Sequence, residues 1–195
     1  MKKYIFNIIQ NTIRLSENKN SVKLLGFLSF FESIIIPIPP DILLVPMVLS
    51  NRKKWLFFSV LCTVLSVIGG IAGYLIGYLF WGNLGSHIIS FYNAGDEISV
   101  LKEQFSKYGL FIILFAGFTP LPYKIFTIGS GLLSFNFFIF IVCSLISRGL
   151  RFITLSYLVY KYGNRSLKFV EEYFYKLTIV FIVILSLIFL FYLYA

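Results

Sequence analysis

Five charged side chains interrupt otherwise apolar stretches of this sequence, and their chemistry sets them apart. They are Glu32, Asp41, Lys124, Arg148 and Arg151. Ionisable groups are costly to place at membrane depth, where they commonly mark a path for an ion or a substrate. Three basic groups against two acidic groups leave one positive charge in excess. This imbalance predicts a binding site for an anion.

The two kinds of charge have different expected roles. Glu32 and Asp41 flank a proline-rich stretch, where a carboxyl group can exchange a proton. Arg148 and Arg151 are spaced i, i+3 on one helical face, and guanidinium groups bind phosphate through paired hydrogen bonds. Lys124 aligns with Asp41 in a repeat described below, so we expect these two to form an ion pair. Alternatively, the five charges only neutralise one another and hold helices together.

The elements that must position these charges are long apolar blocks. Of the 195 residues, 58% are hydrophobic, 19% aromatic and 13% charged. A soluble domain of this size could not hide so much apolar surface. The blocks run over about residues 24–50, 55–81, 110–133, 137–159 and 177–195. The sequence therefore predicts an all-α integral membrane protein.

Prolines divide two of these blocks. The first block contains Pro37, Pro39, Pro40 and Pro46, and the third contains Pro120 and Pro122. Closely spaced prolines stop a helix, yet blocks of about 27 and 24 residues are too short to cross a bilayer twice. We therefore predict two re-entrant hairpins, over 24–50 and 110–133. Interrupted backbone at that depth must be surrounded by protein or line a cavity, so we expect both tips to line one.

An internal repeat and the loop charges predict the topology. A shift of 83 residues aligns Pro37–Asp41 with Pro120–Lys124, which indicates an inverted repeat with opposed hairpins and about three full transmembrane helices. Segments 1–23, 52–54 and 160–176 are net positive, whereas the predicted outer loop 82–109 is net negative. The positive-inside rule then places the N-terminus on the cytoplasmic side of the inner, or plasma, membrane.

The apolar blocks and the charged segments between them divide the chain into three predicted parts. Residues 1–23 form an amphipathic cytoplasmic helix, residues 24–165 form the membrane domain, and residues 166–195 form a cytoplasmic link and a C-terminal transmembrane helix. The repeat of Gly69, Gly73 and Gly77 is typical of close packing between membrane helices.

The sequence contains no recognisable motif for several classes of function. The basic residues are scattered among apolar blocks, so nucleic acid is not an expected partner. Cys62 and Cys143 lie inside apolar segments and His87 is the only histidine, so neither a metal nor a cofactor is expected. No nucleophile accompanied by a base is recognisable, and we do not expect an enzyme.

Three motifs carry a family resemblance. The runs Glu32–Asp41, Gly117–Lys124 and Ser147–Phe152 resemble the DedA (VTT, SNARE-associated) superfamily, nearest its YqaA-like branch, over about residues 24–165. The resemblance implies two opposed re-entrant hairpins and lipid translocation, including undecaprenyl phosphate recycling or phospholipid scrambling. Members commonly place arginines near the second hairpin, where this chain has Gly117 and Tyr123.

The expected function is therefore movement of a lipid with an anionic phosphate head group, with proton coupling and an oligomeric assembly both compatible with the sequence. One alternative is a proton- or ion-coupled transporter of a small solute, and another is a structural membrane scaffold. Lipid movement predicts a cavity open sideways to the bilayer. Ion transport predicts a closed aqueous path, and a scaffold predicts that neutralising the five charges leaves function intact.

Overall fold

The computed structural model describes residues 20–35, 38–80, 95–119 and 122–163, and the regular structure within them is entirely helical. Its α-helices are α1 Asn20–Glu32, α2 Asp41–Ser50, α3 Trp55–Phe80, α4 Gly95–Phe118, α5 Tyr123–Leu132 and α6 Phe137–Tyr162. A 3-10 turn over Arg52–Lys54 joins α2 to α3. Residues 1–19 of the predicted amphipathic helix and the predicted C-terminal span lie outside the described residues.

Helices α3 and α6 are long enough to cross a bilayer. Each has 26 residues, or about 39 Å at 1.5 Å per residue, against a hydrocarbon core of about 30 Å. Both are also sufficiently apolar, and α3 continues the 3-10 turn, so that the apolar helical segments run over Arg52–Phe80 and Phe137–Tyr162. The prediction of an all-helical chain is confirmed for the described residues.

The helical backbone is interrupted twice. Helix α1 ends at Glu32 and α2 begins at Asp41, with Pro40 at the N-cap of α2. Helix α4 ends at Phe118 and α5 begins at Tyr123, with Pro122 at its N-cap. Proline has no backbone N–H and disfavours a helical residue before it. We call these interruptions the first and second breaks.

Helix α1 runs alongside the first half of α3. A methyl group at Gly26 would touch the Leu65 side chain, and one at Gly69 would touch the Phe30 carbonyl oxygen. Residue numbers rise together along the two helices from the first contact to the second, so α1 and α3 are parallel. The end of α1, and with it the first break, therefore lies near the middle of α3.

Helices α5 and α4 run parallel to the two long helices in the same way. On α3, Gly70 lies beside Tyr123 and Gly77 beside Ile128, so α5 accompanies the second half of α3. Helix α4 accompanies the first half of α6, since its Gly117 lies against Ser147 near the middle of α6. The second break thus also lies near mid-helix.

The apolar core is gathered around α2. It joins residues of α1, α2, α3 and α6, namely Leu25, Leu43, Leu44, Val45, Met47, Val48, Phe58, Cys62, Phe152, Leu155 and Val159. A smaller cluster lies around the start of α6 and contains Tyr74, Ile113, Phe135, Phe140 and Cys143. Together the clusters fix α2 and α4 on opposite halves of α6.

Helix α4 begins earlier than the sequence analysis placed any element. The prediction that residues 82–109 form a loop is wrong for residues 95–109, which belong to one continuous helix with the apolar segment that follows. Their placement outside the membrane stays a prediction. The loop prediction followed the length of the apolar run, but Ile98, Leu101 and Phe105 are spaced i, i+3, i+7 in an otherwise polar stretch. This is the pattern of an amphipathic helix.

Candidate functional site

Arg148 lies in the middle of α6, with only 1% of its side chain exposed. Its guanidinium donates from Nη2 to Glu32 Oε2 at 2.5 Å and from Nε to Ser66 Oγ at 2.7 Å. These contacts tie the end of α1 and the middle of α3 to α6. A charge at this depth needs a partner, and the Glu32 carboxylate supplies it.

Two aromatic rings enclose the same guanidinium. The centroids of Tyr123 and Phe152 each lie 4.8 Å from Arg148 Cζ, within the range of cation–π attraction. Tyr123 is fully buried, and its hydroxyl donates to Ser144 Oγ at 2.5 Å. In the sequence, Tyr123 stands out only as a departure from the family pattern, and its motif does not indicate this role.

Arg151 bridges the two breaks. Its Nη2 donates to Asp41 Oδ2 at 2.7 Å, at the start of α2 after the first break. Its Nη1 donates to the Thr119 carbonyl oxygen at 2.5 Å, directly after α4 at the second break. The side chains of Arg151 and Asp41 are both 10% exposed. A single guanidinium therefore holds both interruptions together.

Lys124 provides another contact between the breaks. It lies in the first turn of α5 and donates from Nζ to the Ile35 carbonyl oxygen at 2.9 Å. The expected ion pair with Asp41 is wrong, because Asp41 pairs with Arg151. Helix α2 begins at Asp41 and α5 at Tyr123, so Lys124 is the second residue of its helix. Successive side chains on a helix are rotated by about 100°.

The five charges do gather, but each acid already has a partner. Glu32 pairs with Arg148 and Asp41 with Arg151. Within the described part of the chain, Lys124 forms no ion pair, so it carries the excess charge of the cluster. Asp41 Oδ1 is buried and accepts no hydrogen bond from the described residues. In this conformation each guanidinium is already paired with a carboxylate, so a phosphate that binds Arg148 or Arg151 adds a negative charge to a neutral pair.

Small hydroxyl side chains complete the site, and the sequence analysis missed them. Ser33 and Ser66 share a hydrogen bond of 2.8 Å between their Oγ atoms. Thr127 Oγ1 of α5 lies 3.2 Å from the Ser33 carbonyl oxygen, again across the two breaks, and 2.9 Å from the Lys124 carbonyl oxygen of its own helix, so its hydroxyl hydrogen is shared between them. A signal was present in α3, where Ser59, Thr63 and Ser66 are spaced i, i+4, i+7 along one face.

The predicted packing role of the α3 glycines is confirmed. A methyl group at Gly69 would meet the Phe30 carbonyl of α1, one at Gly73 would meet Thr127 of α5, and one at Gly77 would meet the Ile128 carbonyl of α5. Helices carrying the breaks therefore approach α3 at backbone distance, which larger residues would prevent. Without these glycines, the hydroxyl contacts between α1, α3 and α5 could not form.

A cavity of about 770 Å³, widely open at the protein surface, lies beside the charged cluster rather than inside it. Side chains between residues 111 and 118 of α4, Phe126 of α5, and Ile146, Ser147 and Leu150 of α6 line it. None of the five charged residues is among its lining residues. The expectation that the hairpin tips line a cavity stays a prediction, because residues 36, 37, 120 and 121 at the two breaks lie outside the described residues.

The remaining predicted site residues differ in how far the structure describes them. Pro40 is buried, whereas Pro39 and Pro122 are exposed. Pro37, Pro120 and His87 lie outside the described residues. In the described part of the chain, no group of three or more His, Cys, Asp or Glu side chains is placed to hold a metal ion.

Taken together, these features define a class: helical membrane proteins whose interrupted helices meet at a buried charged cluster. A family model described as the VTT domain matches residues 38–161. An uncharacterized protein of Haemophilus influenzae is 35% identical over 142 residues, covering 73% of each chain. The uncharacterized protein HI0703 homolog of Histophilus somni is 30% identical over 162 residues, covering 81% of this chain and 82% of the relative. No solved structure matches.

The chain therefore belongs to the VTT-domain, or DedA, family. Members of this family are membrane proteins, and the family is associated with membrane transport and lipid-related functions. The matched region includes both short helices that follow the breaks, both long apolar helices and four of the five charged residues, Glu32 being the exception.

Proposed function

We propose that this protein moves a lipid with an anionic phosphate head group, such as undecaprenyl phosphate or a phospholipid, from one leaflet of the membrane to the other. The observation that carries the proposal is the meeting of the two breaks at a cluster with one excess positive charge. An anionic head group crossing the bilayer needs compensation of its charge near the midplane, where water is absent.

Parallel packing of the helices supports two re-entrant hairpins. Helix α1 follows α3 only to its middle, and α2 then leads back to the start of α3 at Trp55. The second hairpin, formed by the end of α4 and by α5, relates to α6 and α3 in a similar way. Helices α2 and α5 each have 10 residues, and α3 and α6 each have 26. The start of α5 lies 82 residues after the start of α2, and the start of α6 lies 82 residues after the start of α3. An inverted repeat explains this arrangement.

The orientation of the protein is part of the proposal. We place the N-terminus and residues 52–54 on the cytoplasmic side of the plasma membrane, and Asp96 outside. Cysteines introduced at Lys53 and at Asp96, in a protein lacking Cys62 and Cys143, can be labelled in intact cells with an impermeant reagent. We expect labelling at position 96 only, and labelling at position 53 from outside would refute the re-entrant topology.

Lys124 is the cation most available to a head group. Its ammonium is held by a carbonyl oxygen rather than by a carboxylate. It also lies in the first turn of α5, which has neither an acidic residue in that turn nor a side-chain cap. The positive end of the helix dipole therefore adds to the charge of Lys124. In α2, by contrast, Asp41 already occupies the first turn.

The arginine pairs provide a means of coupling. A phosphate that competes for Arg151 would release Asp41 from its ion pair. Exchange of partners at one guanidinium would thus link lipid movement to a second ion, for which we propose a proton. Glu32 and Arg148 allow the same exchange, at a guanidinium that is only 1% exposed.

The cavity favours a lipid over a small ion. It is bounded almost entirely by apolar side chains, and two of them, Phe111 and Phe115, are 69% and 67% exposed on the surface that a bilayer would cover. An aqueous path would require polar walls. A proton- or ion-coupled solute transporter is the second candidate, supported by the buried Asp41 Oδ1 that lacks a donor among the described residues.

A reconstituted transport assay tests the proposal. Vesicles with the purified protein and a trace of labelled phosphatidylglycerol are compared with empty vesicles, and movement between leaflets is followed by a quencher added outside. We expect faster movement of the phosphate lipid with the protein, and no acceleration for a neutral glycolipid with the same chains. Acceleration of neither lipid would contradict the proposal.

A further inference from the structure

The cavity between α4 and α6 lies at the same level as the charged cluster. Residues 146–150 form the central turns of the 26-residue α6, and Phe118 is the last helical residue before the second break. Because α6 is long enough to cross the bilayer, its centre lies in the hydrocarbon region. Water does not fill an apolar cavity at that depth.

The cavity and the charged cluster share a wall. Leu150 lines the cavity, and the next residue, Arg151, donates to the carbonyl of Thr119. On the neighbouring turn, a methyl group at Gly117 would meet Ser147 and would lie 3.7 Å from Arg148 Cδ. A molecule with an anionic end and an apolar end could therefore occupy both sides of this wall at once.

We infer that this cavity binds the hydrocarbon chain of the lipid whose phosphate lies at the charged cluster. The volume of about 770 Å³ falls among ligand sites of roughly 300–1,000 Å³. Its exposed phenylalanines face the bilayer, so a chain enters sideways from the membrane without crossing water. The choice of a phosphate lipid rests on the proposed function, whereas the position of the chain rests on the cavity itself.

Photolabelling tests the inference without measuring transport. The full-length protein is placed in phosphatidylcholine nanodiscs with a trace of phosphatidylglycerol that carries a diazirine in the middle of one chain. After illumination, the labelled peptides are mapped by mass spectrometry. We expect labels concentrated in residues 111–118 and 146–150. Labels spread evenly over the outer faces of α3 and α6 would overturn the inference.

A matched pair of variants sharpens this test. Ala116→Phe adds a ring inside the cavity, where Ala116 is buried, and Val64→Phe adds the same ring on the exposed side of α3. Labelling of the cavity should fall roughly tenfold or more in the first variant, as expected for a blocked apolar site, and persist in the second. If Ala116→Phe does not fold, Phe126→Trp narrows the same cavity. Unchanged labelling in a folded cavity variant would refute the site.

Other occupants give a different result. With Cys62 and Cys143 replaced by alanine, Phe115→Cys should form no cross-link to a second copy or to a cysteine placed in residues 177–195. Such a cross-link, together with loss of lipid labelling, would show that protein covers the cavity.

Competition separates the chain site from the proposed function, because phosphatidylglycerol should displace the probe better than diacylglycerol. Specific labelling without leaflet movement would retain the chain site and reject transport.

Discussion

Helices α2 and α5 occupy equivalent places in the chain, yet different forces hold them. Each has 10 residues, follows a break and has a proline at its N-cap. Helix α2 buries large apolar side chains, including Leu43, Leu44 and Met47, in the main core. Its one ionic contact is at its first residue, where Asp41 meets Arg151.

Helix α5 is held by close backbone approach and by hydroxyl groups. A methyl group at Gly131 would meet the Tyr74 carbonyl oxygen of α3, and one at Gly77 would meet the Ile128 carbonyl. Tyr123 and Thr127 add hydrogen bonds to Ser144 and Ser33. Side chains in an apolar interface can adjust, whereas backbone atoms in contact cannot. The two helices should therefore differ in which substitutions they tolerate.

The largest loss of stability is expected from a substitution that disturbs the contact between α5 and the α3 backbone. Gly131→Ala places a methyl group against the α3 backbone and should cost more than about 3 kcal/mol of stability, at the upper end for overpacking. The control is Gly129→Ala in the same helix, where a methyl group meets nothing within 4 Å. That change should stabilise the helix by about 0.5–1 kcal/mol. Thermal unfolding in detergent would contradict the account if both variants behaved alike.

The next largest loss of stability is expected from a substitution that removes a core contact of α2. Leu44 is completely buried, and Leu44→Ala should cost about 3 kcal/mol through lost packing. Leu44→Met keeps the volume and should cost less than about 1.5 kcal/mol. The same unfolding measurement applies. A methionine variant as unstable as the alanine variant would show that α2 is held as rigidly as α5.

A similar loss is expected at the ion pair at the start of α2. Asp41→Leu alone should cost about 3 kcal/mol, the lower end for a broken buried pair, because it leaves a largely buried guanidinium without its counter-ion. Adding Arg151→Met should restore most of that stability, since apolar groups can replace a buried pair. The double variant should nevertheless lose lipid movement in vesicles. Normal movement in a stable double variant would remove this pair from the mechanism.

The smallest effect concerns one hydroxyl. Thr127→Val removes a hydroxyl shared between the Ser33 carbonyl across the breaks and the Lys124 carbonyl of its own helix, and should cost up to about 1 kcal/mol. Thr63→Val is the control, because Thr63 bonds only the preceding turn of its own helix, at the Ser59 carbonyl. It should change stability by much less. Equal losses in the two unfolding curves would contradict a special role for the contact between the breaks.

The sequence predicts the helices and the breaks better than it predicts the contacts between them. Apolar runs identify α3 and α6 because length and hydropathy are local properties. Closely spaced prolines place the breaks, since proline acts on its own backbone and the preceding residue. The start of α4 at Gly95 was missed because amphipathic residues extend the helix beyond the apolar run.

Partners of the charged residues depend on three-dimensional register. The sequence identifies the five charges and their imbalance, but the alignment of Asp41 with Lys124 does not predict that Asp41 pairs with Arg151 of α6. The cavity could not be located either, because it depends on how α4, α5 and α6 pack against one another. Ser33 and Thr127 are inconspicuous in the sequence because a buried hydroxyl becomes important only opposite a particular carbonyl.

The most direct test of the proposed function is the rate of phosphatidylglycerol movement in vesicles that contain Lys124→Gln. This substitution removes the excess charge and leaves both arginine pairs intact. The control, Lys107→Gln, removes an exposed charge from the polar half of α4. We expect a loss of roughly tenfold or more at position 124, as for a missing hydrogen bond to a charged group, recovery with Lys124→Arg and no change in the control. A folded Lys124→Gln protein that moves the lipid at the wild-type rate would contradict the account.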